Sequence, residues 1–321
     1  MQVRMPKILQ TEREIRPFTR NTPLLHSPYL SQLTGADVWL KLENWQTTGS
    51  FKIRGALSKI GRLSAAQRAR GIVAASAGNH ALGVAYAASV LGGVTADIFV
   101  PGTAPQAKIA KLAAYPVALH QVGDTYEAAH QAAAAFAAET GALEISAYDD
   151  LDVIAGQASV GLEIFQQRPQ VDLLLVPVGG GGLIAGIGSV TAVLSPTCRV
   201  VGVQPLASPA ALLSLRDGVA YDPFDHEPTL ADGLAGGFGA VPFAVAADLI
   251  HDVLLSDEKT MRRAMFTLLD RHQLVVEASG AIAIAPLLTN QIDITGLTVV
   301  CVLSGGNVDT AVLRDILNEF S

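Results

Sequence analysis

The chain of 321 residues is 50% hydrophobic, 16% charged and 6% aromatic, with a formal net charge of −7. The acidic balance excludes a nucleic-acid reader driven by bulk positive charge, and the Ala/Val/Ile/Leu-rich content excludes a disordered or fibrous chain. Single cores stop growing at roughly 250–300 residues, so two domains are expected.

The first twenty residues are polar and charged, with no apolar leader or membrane-spanning run. Short β-branched or aliphatic runs then alternate with longer helical patterns, the mark of βα units and a mostly parallel sheet. Strands are expected at 36–42, 71–75, 96–100, 116–121, 171–178, 199–203 and 297–303, and helices at 80–91, 104–113, 126–140 and 260–272. In the last helix Met261, Met265 and Leu268 share a face, and Ser256, Asp257 and Glu258 supply a cap and favourable dipole charge. Residues 132–138 read as an Ala-rich helix, and residues 217–238, rich in Gly, Pro and acids, as an irregular surface excursion or lid. Cys198 and Cys301 stand far apart with no metal-ligand spacing, so neither a disulfide framework nor a zinc site is indicated. A reduced, cytoplasmic setting is expected.

Four segments carry candidate chemistry, in chain order. The run Ser50-Phe51-Lys52-Ile53-Arg54-Gly55-Ala56 follows a strand and puts a lysine between apolar neighbours. Burial lowers a lysine's pKa and frees its amine as nucleophile or base for Schiff-base chemistry; a surface lysine snorkelling beside a helix cap fits the local sequence as well. Ser76-Ala77-Gly78-Asn79-His80 places small residues where a strand hands over to a helix, a position that binds anions, although an ordinary βα turn capped by Asn79 remains open.

The third segment is Gly179-Gly180-Gly181-Gly182-Leu183. Four consecutive glycines are entropically costly, which a nest of N–H groups around a phosphate explains. Gly180-x-Gly182-x-x-Ala185 also fits the dinucleotide fingerprint, but the acid required at the end of the following strand is replaced by Gln204-Pro205, and no Gly-Lys-Ser/Thr marks a P-loop. The fourth is Ser304-Gly305-Gly306-Asn307 at the carboxyl end of a strand, where open α/β sheets hold ligands. Ser304 can hydrogen-bond an unprotonated ring nitrogen or satisfy its own turn.

A Ser-Phe-Lys-x-Arg-Gly-Ala segment, a Ser-x-Gly-Asn-His loop, a tetraglycine loop and a Ser-Gly-Gly-Asn turn in this order resemble the fold-type II pyridoxal-phosphate enzymes. The likeness is closest to the serine/threonine dehydratases and runs from about residue 22 to 307. It implies a tryptophan synthase β-like fold: two α/β domains with open twisted, mostly parallel sheets and the active site in the cleft. The large, cofactor-binding domain is expected from residues 1–70 plus 148–321, with a small α/β domain inserted at 71–147. By the same resemblance Lys52 carries pyridoxal 5'-phosphate as a Schiff base and Phe51 packs near the ring. Asn79 bonds the ring hydroxyl, the amides of Gly179, Gly180, Gly181, Gly182 and Leu183 hold the phosphate, and Ser304 faces the pyridine nitrogen. Ser76, Ala77, Gly78 and Asn79 bind the substrate carboxylate, with Glu277 near its side chain; Ala278 replaces the usual proline after that glutamate.

The activity so implied is dehydration of a small hydroxy amino acid, L-threonine or L-serine first, to a 2-oxo acid and ammonia in amino-acid catabolism. Lys52 takes the α-proton as general base. Ser304 in place of an aspartate leaves the ring unprotonated and suits prompt elimination. Serine racemases of this fold carry a second serine where this chain has Ala77, which favours dehydration over racemisation. Gln204 and Ala210 replace the acidic pair of the metal-binding branch, so a divalent-cation site there is not expected. A homodimer is implied, whereas nucleic-acid and membrane partners are not. The chain ends soon after Asn307, so an appended regulatory domain and feedback by isoleucine are not expected. The alternatives are 3-hydroxyaspartate or a phenylserine-like substrate, a racemase, a β-replacement synthase, a dinucleotide-binding oxidoreductase and an idle binding protein.

Overall fold

The computed structural model describes residues 1–320. Helix α1 (Met5–Ile15) opens the chain, strand β1 (Leu24–His26), α2 (Pro28–Thr34) and β2 (Asp37–Leu42) follow, and α3 (Lys52–Gly61) and α4 (Ala65–Arg70) close the first block. The second block alternates throughout: β3 (Ile72–Ala75), α5 (Asn79–Leu91), β4 (Ala96–Val100), α6 (Gln106–Leu112), β5 (Ala118–Gln121), α7 (Tyr126–Thr140), β6 (Leu143–Glu144). The third runs α8 (Leu151–Gln167), β7 (Leu173–Pro177), α9 (Gly182–Leu194), β8 (Arg199–Pro205), α10 (Ala210–Asp217), α11 (Ala240–Ala246), β9 (Asp252–Ser256), α12 (Glu258–His272), α13 (Ala278–Ala281), α14 (Ala285–Leu288), β10 (Thr298–Leu303) and α15 (Thr310–Phe320).

The strands form two sheets. One has six strands in the order β1-β2-β10-β7-β8-β9, the other four in the order β5-β4-β3-β6. Every pair is parallel except β1 with β2. Central strands such as β7 and β10 read as nearly unbroken aliphatic runs because helices cover both faces of a parallel sheet. Two apolar clusters lie on the faces of the larger sheet. The smaller sheet is covered on one face by Ile53, Leu57 and Ile60, so α3 packs with β3, β4 and α5 although it precedes residue 71.

Small residues set the helix crossings. A Cβ on Gly83 would sit 3.1 Å from the Lys52 backbone carbon, and one on Gly156 would sit 2.3 Å from the Arg54 carbonyl oxygen. These contacts draw α5 and α8 against the start of α3, where no larger side chain fits.

All seven expected strands form, with ends shifted by at most two residues. Three more were not expected: β1 and β6 are two or three residues long, and β9 begins on an aspartate. Helix α7 has the expected limits, and Asp257 caps α12, its Oδ1 accepting the Thr260 N–H at 2.7 Å. Residues 219–231 contain no helix or strand, and a single 3-10 turn follows at Asp232–Leu234.

Candidate active site

The turn after β2 is pinned to the turn after β10, its neighbour in the sheet. Phe51 N–H donates to the Ser304 carbonyl at 3.1 Å, Gly306 N–H donates to the Gly49 carbonyl at 2.8 Å, and Ser50 and Gly305 form an isolated bridge. Lys52 is thereby the first residue of α3, directly beside Ser304 in the fold. Its Nζ donates to the Ala147 carbonyl at 3.1 Å and lies 5.2 Å from the centre of the Phe51 ring. Burial pulls the Lys52 amine down to about 8, with Glu277 partly opposing. Buried Ser304 donates from Oγ to the Ser279 carbonyl at 3.2 Å.

The loop from Ser76 to Asn79 leads from β3 into α5. Its Ser76 Oγ accepts the Gly78 N–H at 3.1 Å, and Ser76, Ala77, Gly78 and Asn79 are all half-buried. Asn79 reaches across to the larger sheet's body, its Nδ2 donating to Glu277 Oε1 at 2.5 Å. Glu277 is pushed up to about 7, first by burial and then by Asp232, against the pull of Asn79, Lys108 and the Asn307 N–H. His80, on the same helix end, is driven down to about 4 by burial and by Lys52, and its Nε2–H donates to the Ile145 carbonyl at 2.7 Å.

The glycine loop joins β7 to α9. Among the described residues the N–H groups of Gly179, Gly180, Gly181, Gly182 and Leu183 have no acceptor, so five donors are grouped at the positive end of a 13-residue helix. Side chains are barred there: a Cβ on Gly180 would lie 2.2 Å from the Tyr148 ring, and one on Gly181, at φ +91°, would lie 2.3 Å from Phe238. The Tyr148 hydroxyl donates to Asp222 at 3.0 Å. Because Tyr148 follows Ala147, one short segment touches both Lys52 and the glycine loop.

The structure therefore joins Lys52, Phe51, Ser304, Asn79 and Glu277 by direct contacts or chain adjacency, and brings the glycine loop to them through residues 147–148. Gln204, where the dinucleotide reading requires an acid, is fully buried and structural. Its Nε2 donates to the Val178 carbonyl at 3.2 Å, and its Oε1 accepts the N–H groups of Ala211 and Leu212 at the start of α10.

Sequence reasoning gave no role to Tyr148, to the Asn307 side chain, or to a buried quartet behind Lys52. In that quartet Arg54 pairs with Glu43 at 2.8 Å and with Glu163 at 2.7 Å, and Lys41 pairs with Glu163 at 2.6 Å. Arg54 stands two places after the lysine in the same motif, and that spacing was the available signal. The chemistry on offer is a low-pKa amine, an anion cradle, a neutral hydroxyl at a strand end and a carboxyl held near neutrality.

Residues 15–305 match the family described as Pyridoxal-phosphate dependent enzyme. The chain is 39% identical over 318 residues to L-threonine ammonia-lyase of Thermotoga maritima, covering 99% of this chain and 79% of that protein. It is 40% identical to L-threonine ammonia-lyase of Geobacter sulfurreducens over 97% of this chain and 77% of the relative. Among solved structures, a threonine deaminase from T.th. is similar at a TM-score of 0.88 and 38% identity, covering 96% of this chain and 99% of that one. Maize serine racemase is similar at a TM-score of 0.91 and 29% identity, covering 99% and 98%.

Proposed function

Because the chain belongs to the pyridoxal-phosphate-dependent enzymes, we propose that it is an ammonia-lyase that removes the β-hydroxyl of L-threonine, with L-serine as second substrate. The products are a 2-oxo acid and ammonia. The substrate follows the two ammonia-lyases to which the chain is 39% and 40% identical. The observation that carries the reading is the meeting of a half-buried, low-pKa lysine with five acceptorless loop amides on either side of residues 147–148.

The residues fit the cofactor. The amides of Gly179 to Leu183 would take its phosphate without a cationic side chain, Lys52 would hold it covalently, and Phe51 would pack near its ring. Asn79 would donate to its hydroxyl, and Ser304, neutral and buried, would hydrogen-bond its nitrogen. Bound there, pyridoxal phosphate supplies an electron-withdrawing ring that acidifies the α-proton of an attached amino acid.

The chain's own groups do the rest. Ser76, Ala77, Gly78 and Asn79 bind the substrate carboxylate at the start of α5. The Lys52 amine, whose proton affinity burial lowers to about 8 so that a sizeable neutral fraction is available near that pH, takes the α-proton as general base. Ala77 has no proton to return from the opposite side, so elimination wins over racemisation. Glu277 faces the substrate side chain.

Residues 1–70 with 148–321 form the large unit, and residues 71–147 form a small unit that closes on substrate. The enzyme acts as a homodimer in the cytoplasm; among the described residues no helix is long and apolar enough to cross a membrane.

The test is the visible spectrum of the purified protein before and after L-threonine, with 2-oxo acid assayed in the same sample. A bound-cofactor band that shifts as 2-oxobutanoate accumulates supports the reading, and Lys52→Ala should abolish both signals. Full turnover by Lys52→Ala, or a protein that stays colourless with added pyridoxal phosphate, overturns it. A band without product from L-threonine or L-serine removes the substrate assignment.

A further inference from the structure

Four side chains stand in line from the surface to the pocket. Lys111 Nζ, on α6, donates to Asn307 Oδ1 at 3.0 Å; Asn307 Nδ2 donates to Asn79 Oδ1 at 2.7 Å; Asn79 Nδ2 donates to Glu277 Oε1 at 2.5 Å. Lys111 is exposed, and the other three are half-buried.

A primary amide taken alone has no fixed sense, because half a turn exchanges its acceptor and donor ends at almost no steric cost. This line has one. An ammonium only donates, so Asn307 must turn its oxygen to Lys111 and its NH2 inward. An NH2 only donates, so Asn79 must meet it with oxygen. The Asn79 NH2 is then left facing Glu277 and the pocket. Each link agrees in sense with the one outside it, and Lys111 shares the fixing of that sense with the Thr48 carbonyl, which accepts from the same Asn307 NH2.

Asn307 is itself held on several sides. Its Nδ2 also donates to the Thr48 carbonyl at 2.8 Å, and its backbone N–H helps hold the Glu277 pKa down. Gly49, at φ +80°, lies so near that a Cβ there would sit 3.0 Å from the Asn307 amide nitrogen. The line also crosses between the sheets: Lys111 belongs to the block of the four-stranded sheet, and Asn307 to the exit of β10. One helical turn earlier on α6, Lys108 makes a second crossing to Asp232 at 3.0 Å.

We propose that Asn307 is a positioning residue for the reaction and that, with Lys111, it sets which end of the Asn79 amide is turned to the pocket. The proposal rests on the reading of Asn79 as a cofactor contact. With the sense fixed, Asn79 offers N–H to the pocket; with the line cut, the amide can present oxygen there instead, and a donor to the cofactor hydroxyl is lost.

The test is a double-mutant cycle on the holoenzyme with Lys111→Ala, Asn307→Ala and the pair, reading kcat, KM, the absorption maximum of the bound cofactor and the melting temperature. Asn307→Ala is expected to lower kcat about tenfold, to change KM about twofold or less and to shift the absorption maximum. Lys111→Ala is expected to lower kcat about threefold in the same pattern, and the pair to be no worse than Asn307→Ala alone. Lys111→Arg, which still only donates, should restore the wild-type values. Asn307→Asp, which keeps the shape but cannot donate to Asn79, should reproduce Asn307→Ala and stands in for it if that variant does not fold.

A paired loss equal to the product of the single losses overturns the relay, as does an Asn307 variant with unchanged kcat and absorption maximum. Asn79→Ala separates the two levels of the argument. If it leaves the cofactor's absorption maximum unchanged, the site reading itself fails and takes the relay with it. If it shifts the maximum while the cycle is multiplicative, the relay alone fails.

Discussion

Glu277 and Lys52 share a pocket that draws their proton affinities together, the carboxyl up to about 7 and the amine down to about 8. The folded protein holds the Glu277 proton to about pH 7, whereas the unfolded chain releases it near 4.5. Folding takes up a proton between those values, so this group's contribution falls as pH rises through the window and is fully lost above it. Lys52 adds slope only as pH approaches 8, where the folded amine begins to lose its proton while the unfolded one keeps it. His80, held neutral down to about 4, gives stability that rises with pH to its unfolded value of 6.5, but it does so equally in wild type and a Glu277 variant.

Cofactor-free Glu277→Gln is therefore expected to match wild type at pH 4.5 and to exceed it by on the order of 1–2 kcal/mol at pH 7.5, read by urea denaturation. The amide oxygen introduced by that substitution could still accept from Asn79. Equal differences at the two pH values would show that the carboxyl is not held off its charged form.

At the scale of elements, the glycine loop separates two kinds of constraint. The nearest atoms a Cβ on Gly180 would meet belong to the Tyr148 ring, whereas one on Gly181 would meet Phe238 and Pro242 at φ +91°. Gly180→Ala should lose the bound-cofactor band and regain it in combination with Tyr148→Ala. Gly181→Ala should not be regained by trimming a neighbour, since the left-handed conformation itself costs about 1–2 kcal/mol with a Cβ. Recovery of Gly181→Ala by a second-site truncation would remove the backbone argument.

What could be read from the sequence follows the same division. The central strands were legible because burial on both faces demands aliphatic runs, and the glycine loop because a backbone that must wrap an anion is the plainest use of four glycines in a row. Edge strands β1 and β6 were not legible: Leu24 to His26 and the pair Leu143 and Glu144 are too short to show a period. Helix α8 was missed because it is buried almost all round and so carries no polar stripe. Lys52 and Ser304 could be named separately, and their adjacency came from the β2–β10 pairing. The bonds of Asn79 to Glu277 and to Asn307 join residues about two hundred positions apart, and no local pattern encodes them.

Over the whole molecule, the candidate site is divided between two sheets and crossed by polar contacts from α6. The proposed closure of residues 71–147 predicts that an unreactive substrate analogue reduces the radius of gyration of the holoenzyme in small-angle scattering, and unchanged scattering profiles would argue against it. The buried quartet of Lys41, Glu43, Arg54 and Glu163 lies outside residues 71–147. It ties Thr22, whose Oγ1 donates to Glu43 at 2.6 Å, to β2, α3 and α8 through two cations and two carboxylates. Such a cluster is strongly destabilising to break, because each loss strands a buried charge. Lys52 thus stands two residues from the buried cation that anchors the start of its helix.

The position of β10 has a consequence for synthesis on the ribosome. In the six-stranded sheet it lies between β2 and β7, so Asp37 pairs beside Thr298 and Leu173 beside Val299. Until residues 298–303 emerge, the nascent chain holds two aliphatic strand edges with no partner, a state open to misassociation. The strands of the smaller sheet all come from residues 72–144 and pair early. The growing polypeptide can therefore pair one sheet as it goes but must keep the other waiting for its middle strand, so completing the larger sheet is the long-range step of its folding.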